Sequence, residues 1–446
     1  MTSAPPHAFP ETGPMSITGM RPRWRDTLVS LKVPNFRLFT FSNVIAMSAT
    51  WMQRIAQDWL VLELTDSVAA VGLTAMFQFA PMLLFGLYGG VIVDRYSKRM
   101  LLVFTQSIAG ALSALLAVLA ITGVVQVWQV YAVALVVGFV TVVDNPTRQV
   151  FVNEIVGPRH LKNAISVNSS VFQLGGLIGP AVAGVLIVAV GAGWAFGVNA
   201  LACAVTVVTL SQLRTSALIR TPPMPRGKGQ LRQGIRYAMN KPGILWPIVL
   251  LAFLSVFSLN MPVILTSYAT DVFAVGAGGY GLFNSLVAAG ALVGALASTR
   301  ASTVRLRGVI MAGGAWGLLQ ATCGLMTNVM SFGMLLVIQG VACLLFFTAA
   351  NSLVQLSSNL GVRGRVMSLY VLVSFGGQAI GGPIMGCVVE HFGAPTGMVV
   401  SGLVPALAAL AIGVLLARRG QLRLRVSLRR RQSFVAIVPR MRATGA

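Results

Sequence analysis

Two pairs of opposite charges stand four residues apart in otherwise apolar surroundings: Arg54 and Asp58 in WMQRIAQDWLV, and Asp144 and Arg148 in VVDNPTRQVF. On a helix, that spacing puts each pair on one face, one turn apart. A carboxylate beside a guanidinium can stay ionised and orient its helix, or it can take up and release a proton in competition with another ligand. For Arg54 and Asp58 both readings are open. The remaining chemistry is sparse. Cys203, Cys323, Cys343 and Cys387 fall at unrelated spacings inside apolar runs, so neither a disulfide framework nor a metal site is expected. The 3 histidines are far apart. No glycine-rich loop ending in Gly-Lys-Ser or Gly-Lys-Thr occurs, which excludes ATP hydrolysis. With no nucleophile and base side by side, neither an enzyme nor a bound cofactor is expected.

The elements that must hold these charges are membrane helices. The chain of 446 residues is 56% hydrophobic and only 10% charged, against about 25% charged in ordinary soluble proteins. Twelve apolar runs of membrane-crossing length recur along it. Their length and uniform apolarity point to helices rather than barrel strands. The net charge of +23 would suggest nucleic acid in a soluble protein, but its distribution excludes that partner. Of 33 Lys and Arg, all but Arg54 lie in the tails, in the even-numbered connections or at helix ends facing them. The odd-numbered connections hold Glu63, Asp66, Asp271 and Glu390 instead. This positive-inside pattern predicts a multi-pass protein of the inner, cytoplasmic membrane with both termini in the cytoplasm. The arginine-rich tail is expected to rest on anionic lipid heads. Residues 1–35 are polar and proline-rich, with no cleavable signal expected.

The organisation is bipartite. A cytoplasmic tail (1–35) precedes a six-helix bundle (36–213), a linker with an amphipathic helix (214–243), a second six-helix bundle (244–417) and a basic cytoplasmic tail (418–446). VGPRHLKNAISVN with its later GPAVAG is echoed by LGVRGRVMSLYVL with its later GGPIMG. Two matched halves enclosing a site near the midplane are the plan of a secondary transporter. Gln57, Gln78, Phe79, Gln173, Asn260, Asn284 and Gln378 are candidates to line that site, with ordinary packing or an interhelical hydrogen bond as the competing reading for each. With few fixed charges inside, a bulky apolar or amphipathic small molecule suits the cavity better than a sugar phosphate or an amino acid.

The residues also carry a family resemblance. Gly90, Asp94, Arg95, Lys98 and Arg99, in GVIVDRYSKR, resemble the major facilitator signature, with Ser97 replacing a glycine. GGLIGPAVAG, with Gly175, Gly179, Pro180 and Gly184, is similar to the antiporter motif of that superfamily, with Ala183 replacing a glycine. WMQRIAQDWLV, DNPTRQ and LKNAISVN resemble the bacterial drug and siderophore exporter branch, and the likeness covers roughly residues 33–417. Two positions depart from it: the second-half counterpart of the signature, ALASTRASTVRLRG, lacks its acid, and Gly176 stands where an arginine is expected.

The resemblance implies an all-α membrane protein of twelve transmembrane helices in two six-helix bundles. It implies a monomer that exchanges a small-molecule substrate for protons by alternating access. Export of one siderophore or natural product, and a membrane scaffold without transport, are the alternatives. It further implies a cytoplasmic latch, in which Asp144 meets Lys98 or Arg99 and Asp94 meets the amino end of span eleven near Arg363, where the helix dipole favours an anion. The competing reading of Asp144 and Arg148 is mutual neutralisation in an exposed loop.

Overall fold

The computed structural model describes residues 29–214, 218, 230–298, 305–419, 422–426 and 435–439. The first half is built from α1 (Pro34–Thr65), α2 (Val68–Arg95), α3 (Lys98–Ile121), α4 (Val127–Val190) and α5 (Ala192–Gln212). α4 supplies two spans. Gly157, at φ 65° and ψ 179°, turns the chain between them, in a conformation open mainly to glycine. The amphipathic stretch of the linker is a helix, α6 (Gln230–Met239). The second half follows as α7 (Pro242–Phe257), α8 (Met261–Ser267), α9 (Gly276–Ser298), α10 (Leu306–Cys323), α11 (Val329–Ser357), α12 (Leu360–Phe392) and α13 (Ala394–Arg419). α7 and α8 form one span. Among the described residues, 10 spans are long and apolar enough to cross a membrane on those grounds alone, and α1 and α10 complete the twelve. The fold is all-α and of the major facilitator type.

Two departures from the sequence reading matter. Span four does not end at Pro146: it continues to Gly157 before span five begins at Asn163. The C-terminal tail, for which the sequence names only a lipid contact, contains a short antiparallel ladder, β1 (Leu422–Val426) against β2 (Val435–Pro439). The remainder of that tail, and residues 1–28, lie outside the described residues, and with them the expected lipid contact.

In lipid, helices associate through close packing rather than through exclusion of water. Two seams join the halves: α2 runs along α12, and the second arm of α4 along α9. Small residues allow both. A Cβ on Gly72 would collide with the carbonyl of Gly382, and one on Gly281 would lie 2.5 Å from the carbonyl oxygen of Pro180. Of the antiporter-motif residues, Pro180 and Gly184 therefore face α9 across the seam, while Gly175 and Gly179 pack on Met47 and Ser48 of α1. The stripe of Gly290 and Gly294 in α9 packs on α11, inside its own half.

The buried residues divide unevenly along the membrane normal. At the end carrying the acidic connections, one continuous core joins both halves, including Trp59, Val71, Ile187, Leu265, Tyr280, Phe332 and Met385. At the basic end there are two separate cores. One, around Phe39, Leu102 and Phe151, belongs to the first half. The other, around Leu251, Trp316 and Phe346, belongs to the second.

Candidate functional site

Where the two cores separate, a cavity of about 790 Å³ lies between the halves, open toward the basic end. Asn43, Met47, Met82, Gly90, Asn145, Arg148, Gln149, Asn168 and Phe172 line it from the first half, and Asn351, Gln355, Met367, Ser368 and Phe375 from the second. A deeper recess of about 160 Å³ shares Met47, Arg148, Phe172 and Phe375 with it, and adds Trp51, Arg54, Gln57, Gln78, Gln106 and Asn199.

The floor of the cavity is a polar network around Asp144 and Arg148, which are 7% and 8% exposed. Arg148 Nε lies 2.5 Å from Asp144 Oδ2. The other carboxylate oxygen accepts from Thr105 Oγ1 at 2.8 Å and Gln106 Nε2 at 3.0 Å. Arg148 Nη1 donates to Asn43 Oδ1 at 2.8 Å, and Asn43 Nδ2 to Asn168 Oδ1 at 2.9 Å. Four spans meet here: α1, α3 and both arms of α4. The pair is neither the expected latch nor a neutralised pair in a loop, because the helix runs on from Asp144 to Gly157, about 20 Å at 1.5 Å per residue. Lys98 pairs with Glu154 at 3.5 Å. Arg99 donates to the carbonyls of Leu210 and Ser211, both at 2.6 Å, at the carboxyl end of α5, where a cation is favoured. Arg95 is exposed. The expected contact of the Asp94 side chain with span eleven lies outside the described residues.

Pro146 sits inside this helix and cannot donate to the carbonyl of Val142. That carbonyl is met by Gly89 of α2, where a Cβ would collide with it. The approach brings a weak Cα–H donor to the orphaned oxygen.

α1 starts with Pro34 at its first turn and ends at Asp66, with φ 51°, which fixes where its charges lie. The expected pairing of Arg54 with Asp58 is not made. The Arg54 guanidinium instead lies over the rings of Trp51 and Phe79, 5.2 and 5.4 Å from their centroids. Asp58, 9% exposed, accepts from the hydroxyl of Tyr280 at 3.1 Å, and the Tyr280 ring stacks on Trp59. Each partner has a better-placed neighbour: a donor from α9 for the carboxylate, two π faces for the guanidinium.

Of the expected lining residues, Gln57 and Gln78 face the recess, where Gln78 Nε2 donates to Gln57 Oε1 at 3.4 Å. Phe79 borders it through Arg54 and stacks on Phe375 at 5.8 Å. Asn260, Asn284 and Gln378 do not line it. Their amides donate to carbonyls of their own helices or of the turn before, Val256, Tyr280 and Ser374. Gln173 lies apart from the cavity, with its side-chain nitrogen buried. Three residues absent from the sequence reading form a second buried cluster in the wall of the recess: Gln53 Oε1 accepts from Ser113 Oγ at 2.7 Å and Asn199 Nδ2 at 2.5 Å. Their only sequence signal is polarity inside apolar spans. The opposite end is closed by a further contact that no motif announced. Glu390 Oε2 accepts from Ser67 Oγ at 2.6 Å and from the backbone N of Ala69 at 2.7 Å, placing a carboxylate of α12 at the amino end of α2.

Residues 26–433 match the major facilitator family described as transmembrane secretion effector. The chain belongs to that family. Its relatives include the enterobactin exporter EntS of Escherichia coli O1:K1, 26% identical over 405 residues that cover 88% of this chain and 94% of that protein. The same exporter of Escherichia coli strain SMS-3-5 is 27% identical over an equal length. Among solved structures, a POT family transporter in complex with a thioalcohol-conjugated peptide superposes with a TM-score of 0.69 at 12% identity, covering 86% of this chain and 96% of that one. A bacterial homologue of the lysosomal transporter Spinster, inward-facing and unoccupied, gives 0.66 at 14% identity, covering 89% and 98%. These likenesses show the fold. As a family member, the chain is a multi-pass membrane transporter of the major facilitator type, with exporters among its relatives.

Proposed function

We propose that the chain exports hydrophobic or amphipathic small molecules across the cytoplasmic membrane in exchange for protons, by alternating access. The observation that carries the reading is the division of the core: one closed, shared core at the acidic end and a cavity between separate cores at the basic end. With the basic connections in the cytoplasm, the cavity faces the compartment from which an exporter loads. Its walls mix methionine, phenylalanine and uncharged amides, a combination that accepts varied apolar bodies. Inward movement of one proton draws about 2.3 kcal/mol from each 100 mV of membrane potential. Asp58 is the candidate proton carrier, because among the described residues its one hydrogen-bond partner, Tyr280, belongs to the other half, so that rocking the halves apart would release it.

A second reading, export of one siderophore or natural product, is supported by the enterobactin exporters among the relatives. The experiment for both is flux through purified protein in liposomes under an imposed pH gradient, with a panel of neutral, anionic and cationic amphipathic dyes. Several dyes moving against their gradient support the broad reading, and a single chemotype supports the narrow one. Absence of proton-dependent flux removes the antiport reading.

A further inference from the structure

Arg54 lies eleven residues before the end of α1, about 16 Å along the helix, where an unpaired ion is strongly disfavoured by the membrane. Its guanidinium has five N–H donors. Among the described residues none of them meets an acceptor, and the contacts it does make are with the rings of Trp51 and Phe79. The other charges that border the same space are accounted for. Asp144 and Arg148 neutralise each other, and Asp58, one turn from Arg54, is held by Tyr280. The recess therefore presents a guanidinium whose donors meet no acceptor among the described residues, between two aromatic faces and with the nearby Asp58 carboxylate turned to Tyr280, opening into the larger cavity.

We propose that Arg54 is the docking point for an acidic group of the transported molecule, and that Asp58 later takes that group's place. The ligand class is an anion, a carboxylate, phenolate or sulfonate, carried on a flat aromatic or apolar body. A planar guanidinium receives a two-oxygen anion through two parallel N–H···O bonds. Phe172 and Phe375, which border both spaces, extend the stacking surface for the body attached to it. When the halves part at the acidic end, α9 withdraws Tyr280 from Asp58. The four-residue spacing then lets the carboxylate turn back to Arg54 and displace the anion toward the opened side, before a proton from that side neutralises Asp58 for the return. Arg54 thus has a partner in each state: the substrate while the basic end is open, Asp58 afterwards. The proposal rests on the export reading and adds the charge of the cargo to it.

The test uses the full chain in lipid nanodiscs and three probes of one shape: 2-naphthoate, 2-naphthamide and 2-naphthylmethylammonium, titrated calorimetrically. Naphthoate is expected to bind at least tenfold more tightly than the amide, and the ammonium most weakly. Arg54→Gln abolishes the preference, and a size-exclusion profile like that of the parent shows that the variant is folded. Arg54→Lys, a point charge without the fork, retains part of it. Asp58→Asn keeps naphthoate affinity within twofold but lowers its flux in liposomes at least tenfold. Equal affinity for the three probes, binding of none, or a preference that survives Arg54→Gln overturns the docking point. Undiminished flux in Asp58→Asn overturns the exchange. If liposomes carry nothing while the Arg54-dependent preference persists, the export reading fails and the docking point stands.

Discussion

The hydroxyl of Tyr280 donates to the carboxylate of Asp58 at 3.1 Å, and together with the stacking of its ring on Trp59 this contact ties α9 of the second half to α1 of the first at the closed end of the molecule. A hydrogen bond to a charged acceptor in a buried place is worth about 1.5–3 kcal/mol, and this one crosses between the halves at the shut end. Tyr280→Phe is therefore expected to shift the equilibrium toward opening there by about tenfold or more. Spin labels at Leu64→Cys and Phe392→Cys, in a background without the four native cysteines, report it as a longer distance population. An unchanged distribution removes Asp58 and Tyr280 from the gate.

Glu390 closes the same end by a different route, with its carboxylate at the amino end of α2. The contact is exposed, so its contribution is smaller, about 0.3–1 kcal/mol and screened by salt. Glu390→Gln is expected to shift the same spin-label distances by about two- to fivefold in population at low ionic strength, and by less at high salt. A shift equal at both salt concentrations would mean that the charge is not what acts.

Asp144 behaves as part of a buried network rather than as a latch. Removing one member of a buried ion pair costs about 3–5 kcal/mol. Asp144→Asn strands Arg148 and lowers the thermal unfolding temperature of the detergent-purified protein, while Asp144→Asn with Arg148→Met recovers part of the loss. If Asp144→Asn is as stable as the parent, the pair is not structural.

Gly89 approaches the carbonyl that Pro146 leaves without a donor, and a Cβ has no room there. Gly89→Ala is expected to abolish well-folded expression. Gly308→Ala, where a Cβ meets nothing within 4 Å, is expected to be tolerated. Size-exclusion profiles of the two variants check it.

The sequence made the architecture legible because the bilayer imposes one length and one polarity on every span. The period of apolar runs, the one-sided basic connections and the signature around Gly90 all point to the same twelve-helix fold. The charged pairs were legible as anomalies, but their partners were not. The resemblance implies that Asp144 meets Lys98 or Arg99; Gly89 covers the carbonyl that Pro146 leaves without a donor, so the helix goes on and buries Asp144 with Arg148 instead. Arg54 and Asp58 read as a pair because spacing shows only neighbours on the same helix, whereas Tyr280 comes from 222 positions away. The network of Gln53, Ser113 and Asn199, and the capping of α2 by Glu390, depend on which faces the halves turn toward each other, which local pattern does not record.

The claim on which the rest depends is that the cavity opens to the cytoplasm while the other end is shut. Ser368 lines that cavity. In a background lacking the native cysteines, Ser368→Cys is to be treated with a membrane-impermeant maleimide, in inside-out vesicles and in spheroplasts. The account expects labelling in the inside-out vesicles and little in the spheroplasts. Strong labelling from the outside with none from the cytoplasmic face would contradict it.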